Sequence, residues 1–213
     1  MKCLTMEKFF LEIPNFIPDD VCTSIIRRFE TDERKNEGAY TWHPSTEIIR
    51  QKENMEICIN SLSDWDDISK LFSNYTCTAF QLYMKHLKNT FNEYGDPRYP
   101  VYSREDRCRS IIHSGFALQR IEKGNKYSWH HDWPYSYEHT HFIQLIFYLN
   151  TLEESQGGYT EFVDGTKVRP EMGKLLIFPC SWNFPHEGCT VKDGYKYIMS
   201  TTVSLISKRD DIR

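Results

Sequence analysis

From residue 114 to residue 206 the chain breaks into short apolar or alternating runs, each closed by a turn signal. The run 116–121 stops before Gly124-Asn125. A second run covers 127–132, and 142–150 is an almost continuous apolar stretch. Residues 159–163 follow Gly157-Gly158, 174–178 lie between Gly173 and Pro179, and 195–206 form the last and longest run. Strands of this length and punctuation predict a β-sandwich or barrel. No other feature narrows the fold as much, because a helical bundle cannot be built from segments that keep ending.

The first half reads differently. A strand is expected over 9–16. Asp19 or Asp20, after Pro18, can cap a helix whose apolar stripe is Val21, Ile25, Ile26 and Phe29. Over 64–91, Ile68, Leu71, Phe72, Tyr75, Ala79, Leu82, Tyr83, Leu87 and Phe91 recur at three- and four-residue steps, which predicts a second and longer helix. Residues 37–53 carry Trp42, His43 and Pro44 without periodicity. They are either a surface loop or a mobile flap over a site. The expected class is therefore α+β, mainly β: a jelly roll with N-terminal helices packed on the outside of one sheet. A chain of 213 residues suits a single domain over 1–213, with 1–113 as helical support and flap and 114–206 as the core.

Composition excludes several functions. Apolar residues make up 39% and aromatics 15%, so disorder is excluded. A net charge of −4 argues against a general nucleic-acid surface, and no apolar run is long enough to cross a membrane as a helix. Residues 1–8 do not read as a secretory signal. The seven cysteines are odd in number and lack Cys-x-x-Cys spacing, so reduced thiols in a cytoplasmic protein are expected. Cys180 and Cys189 bracket His186 and read as two buried thiols.

Chemistry concentrates at His130-His131-Asp132 and at a distant His186 in Phe184-Pro185-His186-Glu187-Gly188. Strand alternation points His130 and Asp132 the same way and His131 the other. Two imidazoles and one carboxylate on one face of a metal leave positions open and suit non-haem Fe(II). A zinc site built from His139, His141 and one of His130 or His131 is the competing reading. Downstream, Lys196 shares a strand face with Ile198, Ser200, Thr202 and Ser204. That face belongs to solvent or to a polar cavity. In a cavity, the ammonium could hold the far carboxylate of a bidentate cosubstrate. Tyr148, within an apolar run, would need a partner for its hydroxyl, and the same carboxylate would serve. The aromatic segment 133–137 either lines a substrate mouth or packs as a surface loop, and 207–213 read as a solvated tail.

Several motifs occur in order: Tyr127-Ser128-Trp129-His130-His131-Asp132; Tyr148-Leu149-Asn150; Gly157-Gly158-Tyr159-Thr160-Glu161-Phe162; Pro170 through Gly173 to Phe178; and His186-Glu187-Gly188 through Val191, Gly194, Lys196 and Tyr197. Together they resemble the prolyl 4-hydroxylase-like branch of the iron(II)/2-oxoglutarate dioxygenases. The resemblance implies a double-stranded β-helix. It implies Fe(II) on His130, Asp132 and His186, and 2-oxoglutarate chelating that metal with its distal carboxylate on Lys196 and Tyr148. It puts Tyr127 beside the metal and O2 in the reaction, and leaves ascorbate open as a reductant. It also implies hydroxylation of a peptidyl residue, proline included, or of a free small molecule, by a monomer or weak dimer. Thr202, His141 and Gln144 depart from the family's Trp, Arg and Thr at the matching positions, so the substrate is expected to differ more than the reaction does. A jelly-roll module that binds metal without turnover is the alternative.

Overall fold

The computed structural model describes residues 5–38, 52–93, 111–132 and 141–205. The segments 39–51 of the expected flap, the aromatic run 133–137, His139 and the tail 207–213 lie outside the described residues.

Strands β1 (Leu11–Ile13), β2 (Asn36–Gly38), β3 (Asn54–Cys58), β4 (Ile111–His113), β5 (Ala117–Glu122), β6 (Tyr127–His130), β7 (His141–Tyr148), β8 (Thr160–Phe162), β9 (Lys167–Val168), β10 (Leu175–Pro179), β11 (His186–Gly188) and β12 (Tyr195–Leu205) form two sheets. The larger runs β1-β10-β7-β12-β5-β3-β2, with β4 also pairing β12; the smaller runs β6-β11-β8-β9. Every strand pairing described is antiparallel. The sheets face each other across Ile121, Ile146, Tyr148, Phe162, Leu176, Phe178 and Ile198. This is the jelly roll expected from the sequence.

Helices α1 (Asp19–Thr31) and α2 (Asp66–Glu93) cover the outer face of the larger sheet. On α2 the buried side chains include Phe72, Ala79, Phe80, Tyr83 and Leu87, and they share one core with Ile143, Leu145, Phe147 and Met199 of the sheet. Phe72 meets the ring of Phe147 edge-on at 5.0 Å. The middle strands are thus buried on both faces, which is why β7 reads as an unbroken apolar run. Odd-numbered residues 143, 145 and 147 face the helices, and Ile146 and Tyr148 face the smaller sheet.

Several expectations need correcting. The strand expected over 9–16 is a single helical turn, Met6–Phe9, followed by the three-residue β1. Pro14, lacking an N–H, ends the ladder. Pro18 occupies the cap of α1, so Asp19 and Asp20 lie inside the first turn, where their charge complements the helix dipole. Leu82 is on the exposed side of α2, and Phe80 takes the core position. The support region is not only helical: β1, β2 and β3 join the larger sheet, with Met55 opposite Arg120 and Cys58 opposite Ala117. β6 stops at His130, so Asp132 lies beyond the strand. Gly173, at φ +76°, lets the chain before α1 lie against the turn that opens β10; a Cβ there would meet the carbonyl of Ile17 at 2.3 Å.

Candidate metal centre

β11 lies between β6 and β8, and its register sets His186 opposite His130 on one side and Phe162 on the other. The rings of His130 and His186 are 4.2 Å apart, and Phe178 packs edge-on to His186 at 4.7 Å. Asp132, past the end of β6, returns its carboxylate to the pair: Oδ1 is 3.7 Å from His130 Nε2 and Oδ2 is 3.5 Å from His186 Nε2. Ligand atoms of all three lie within 4.8 Å of one another. His130, Asp132 and His186 thus lie together, although Asp132 reaches the cluster from beyond the end of β6.

Hydrogen bonding fixes what each group offers. His130 Nδ1 is 2.8 Å from the carbonyl of Ser128, and His186 Nδ1 is 3.2 Å from that of Phe184. A carbonyl only accepts, so each Nδ1 carries the proton and each Nε2 keeps its lone pair toward the other two residues. Burial holds both imidazoles neutral, with pKa values lowered to about 4. Burial also raises the pKa of Asp132, whose Oδ2 is buried without a hydrogen-bond partner. Two neutral nitrogen donors and an orphaned carboxylate oxygen on one small volume fit a divalent cation, and this donor set leaves positions open for further ligands. The zinc alternative needs His139, which lies outside the described residues. His141 turns its Nδ1 to the carbonyl of Asp132 at 3.0 Å, steadying the backbone that carries the carboxylate.

A cavity opens over the cluster, and its lining includes Lys52, Tyr127, Gln144, Thr160, Lys196 and Ser200. Lys196 lies on β12 between β5 and β7, so it cannot reach solvent as an edge residue would. It is 4% exposed and has no ion pair or hydrogen bond among the described residues. Burial lowers its pKa to about 8. Its Nζ stands 5.5 Å from the ring centre of Tyr148. The Tyr148 hydroxyl is not waiting for a carboxylate: it bonds Thr160 Oγ1 at 2.7 Å. Thr160 is a cavity residue that sequence reasoning did not single out, and the Gly-Gly-x-Thr motif was its signal.

Tyr127 stacks on His130 with centroids 3.6 Å apart and planes at 15°. Lys52 approaches the Tyr127 ring to 5.8 Å and is paired to Glu56. From β3, Asn54 donates to Gln119 at 3.0 Å, and Gln119 donates to Ser200 at 2.7 Å, forming one polar wall. Nothing in the sequence of 52–58 announced that contribution. Cys180 is buried, whereas Cys189 is only half-buried and lines the cavity; both are free thiols. Among the described residues no helix is long and apolar enough to cross a membrane.

The model of the 2OG-Fe(II) oxygenase superfamily matches residues 116–203, the stretch that supplies β5 to β12 and every residue of the cluster. No curated protein matches the chain by sequence. Among solved structures, a viral collagen prolyl hydroxylase from Paramecium Bursaria Chlorella virus-1, in a 2-oxoglutarate complex, is similar at 16% identity and TM-score 0.57, covering 93% of this chain and 97% of that one. A Pseudomonas putida prolyl-4-hydroxylase is similar at 14% and 0.57, covering 93% and 94%. A Trichoplax adhaerens prolyl hydroxylase in complex with a hypoxia inducible factor peptide fragment is similar at 16% and 0.62, covering 92% and 84%. Residues 116–203 thus match the 2OG-Fe(II) oxygenase superfamily, and the chain shares the fold of these three structures.

Proposed function

We propose that the enzyme hydroxylates a C–H bond of a peptidyl residue, proline being the first to test, with His130, Asp132 and His186 as the iron ligands. The observation that carries this reading is one cavity holding both a cluster of two neutral imidazoles with a carboxylate and a buried lysine without an anion among the described residues. When bound, Fe(II) with 2-oxoglutarate and O2 supplies the oxidising power for hydroxylation, and succinate and CO2 are released.

The chain's own residues divide the remaining work. The carbonyls of Ser128 and Phe184 hold the two imidazole tautomers, so both Nε2 atoms present lone pairs. Lys196 takes the distal carboxylate of 2-oxoglutarate, which returns to the ammonium the anion that burial withholds. Tyr148 and Thr160 bond each other beside it and offer one hydroxyl proton to the same carboxylate. Tyr127, stacked on His130 and faced by Lys52, fixes the plane of that ring. The sheets exclude water from the inner side of the cluster. Residues 1–213 act as one domain, in which the described part of 1–113 braces the larger sheet. A peptide substrate is favoured because a Trichoplax adhaerens enzyme of this fold is seen with a peptide; a free small molecule is the other substrate class.

The test is succinate formation from 2-oxoglutarate by single variants. His130→Ala, Asp132→Ala and His186→Ala should each lose more than the roughly 100-fold that removing an outer-shell partner costs, while His131→Ala keeps most of its turnover. Activity lost in His131→Ala and kept in His130→Ala would overturn the ligand assignment.

A further inference from the structure

Gln144 is the polar residue that the cluster and the lysine leave unexplained. Alternation along β7 puts it on the inner face with Ile146 and Tyr148, in the lining of the cavity. It is 9% exposed, its side chain makes no hydrogen bond among the described residues, and its Oε1 is fully buried without a partner. A carboxamide has two donor and two acceptor sites, and leaving them unpaired inside a protein destabilises it. Directly across the strands, Thr202 on β12 is the register partner of Gln144, and its Oγ1 is likewise buried and unpaired. Two adjacent unsatisfied groups, Gln144 in the cavity lining and Thr202 beside it on the same sheet face, mark a place where something else supplies the bonds.

Register shows which end of the cavity this is. Thr202 faces Gln144, Ser200 faces Ile146 and Ile198 faces Tyr148. Lys196 lies beyond Tyr148, roughly 20 Å along β12 from Thr202. On its other side Gln144 is paired to Phe178, the ring that packs on His186. The pair therefore adjoins the metal cluster and stands at the end away from the lysine. The carboxylate held by Lys196 is not what it meets.

We infer that Gln144 and Thr202 form the substrate subsite and that the group they take is an amide, either a peptide unit or a carboxamide. This rests on the oxygenase reading above. An amide offers one donor and one acceptor in a plane, as the glutamine does, so both ends of Gln144 are answered at once. The Thr202 hydroxyl takes a further lone pair or N–H. An ammonium would answer Oε1 alone, a carboxylate would answer only the NH2, and a hydrocarbon would answer neither. The wall selects by penalty as well as by attraction, because a substrate lacking the amide leaves both groups buried and unpaired.

The experiment uses the full chain under anaerobic conditions with Fe(II) and 2-oxoglutarate. The probes are acetylated tripeptide amides and the same sequences with N-methylated peptide bonds. Binding is read from perturbation of the visible charge-transfer band of the iron–keto acid complex. Wild type should bind unmethylated tripeptides and discriminate against their N-methylated forms. Gln144→Leu and Thr202→Val, close in size to the residues they replace, should each weaken tripeptide binding about tenfold, the loss expected for one buried hydrogen bond. The 2-oxoglutarate concentration giving half the band should stay within about twofold of wild type. The Tm of metal-free Gln144→Leu should rise by roughly 2–4 °C, because an unpaired amide is replaced by an apolar group.

Equal tripeptide binding in both variants and wild type would overturn the proposal, as would failure of every tripeptide to bind a wild type that shows the band. A lower Tm in Gln144→Leu would make that residue structural. A shifted 2-oxoglutarate requirement would move it to the cosubstrate. Absence of the band in wild type would instead strike the oxygenase reading itself.

Discussion

At the scale of the residue, Lys196 carries an uncompensated electrostatic cost in the interior. Burial brings its pKa from 10.5 to about 8, which corresponds to about 3 kcal/mol of lost stability at neutral pH. A methionine of similar length removes that cost. Lys196→Met should therefore raise the unfolding free energy of the metal-free protein by roughly 2 kcal/mol in urea titrations and still lose 2-oxoglutarate binding. A variant that is destabilised, or that binds 2-oxoglutarate as wild type does, contradicts the role. The same residue sets a pH dependence. Below about 8 the free lysine is protonated and ready for a carboxylate; above it, binding must first take up a proton. Affinity for 2-oxoglutarate should fall as pH rises past about 8, measured by calorimetry at several pH values. Part of this was legible in the sequence, since the pairing of His130 with Asp132 follows from alternation and ligand chemistry, which are local, whereas Lys196 was a candidate on a face left open. Which face of β12 is the cavity was not legible. That depends on β5, β7 and the helices closing every other route to solvent.

At the scale of the element, β3 is the instructive case. Its sequence, Asn-Met-Glu-Ile-Cys, has weak alternation and follows a segment without periodicity, so nothing local marks it as a strand. Its strand character comes from outside: β5 offers a free edge, and Asn54 finds Gln119 across it. Long-range pairing of this kind leaves no local signature. The contact has an energetic consequence. Asn54→Leu would leave the Gln119 carbonyl buried without that donor and loosen the wall that ends at Ser200. The expected loss is about 1–3 kcal/mol in chemical denaturation. No loss would mean that β3 is held only by its backbone. By contrast α2 was readable almost end to end, because an amphipathic helix of this length carries its own period.

At the scale of the whole molecule, two buried imidazoles link the metal centre to global stability. His130 and His186 have folded pKa values of about 4 against an ordinary 6.5. Between those values the unfolded chain takes up protons that the folded chain refuses. Stability of the metal-free protein should then be intact above about pH 6.5 and fall as pH drops toward 4, as thermal melts across that range would record. A flat profile would contradict the burial of the pair. The fold divides labour by layer: the helices and the outer face of the larger sheet give rigidity, and the space between the sheets holds the chemistry. The strand rhythm of 114–206 announced the sandwich, whereas the joining of residues 11–13, 36–38 and 54–58 to its larger sheet required the three-dimensional pairing.

The most direct measurement is an anaerobic titration of the metal-free protein with Fe(II) and then 2-oxoglutarate, followed by visible absorbance, with His130→Ala alongside. The account predicts a charge-transfer band that needs both additions in wild type and does not form in the variant. No band in wild type, or the same band in His130→Ala, would contradict the assignment of His130, Asp132 and His186 as the iron site.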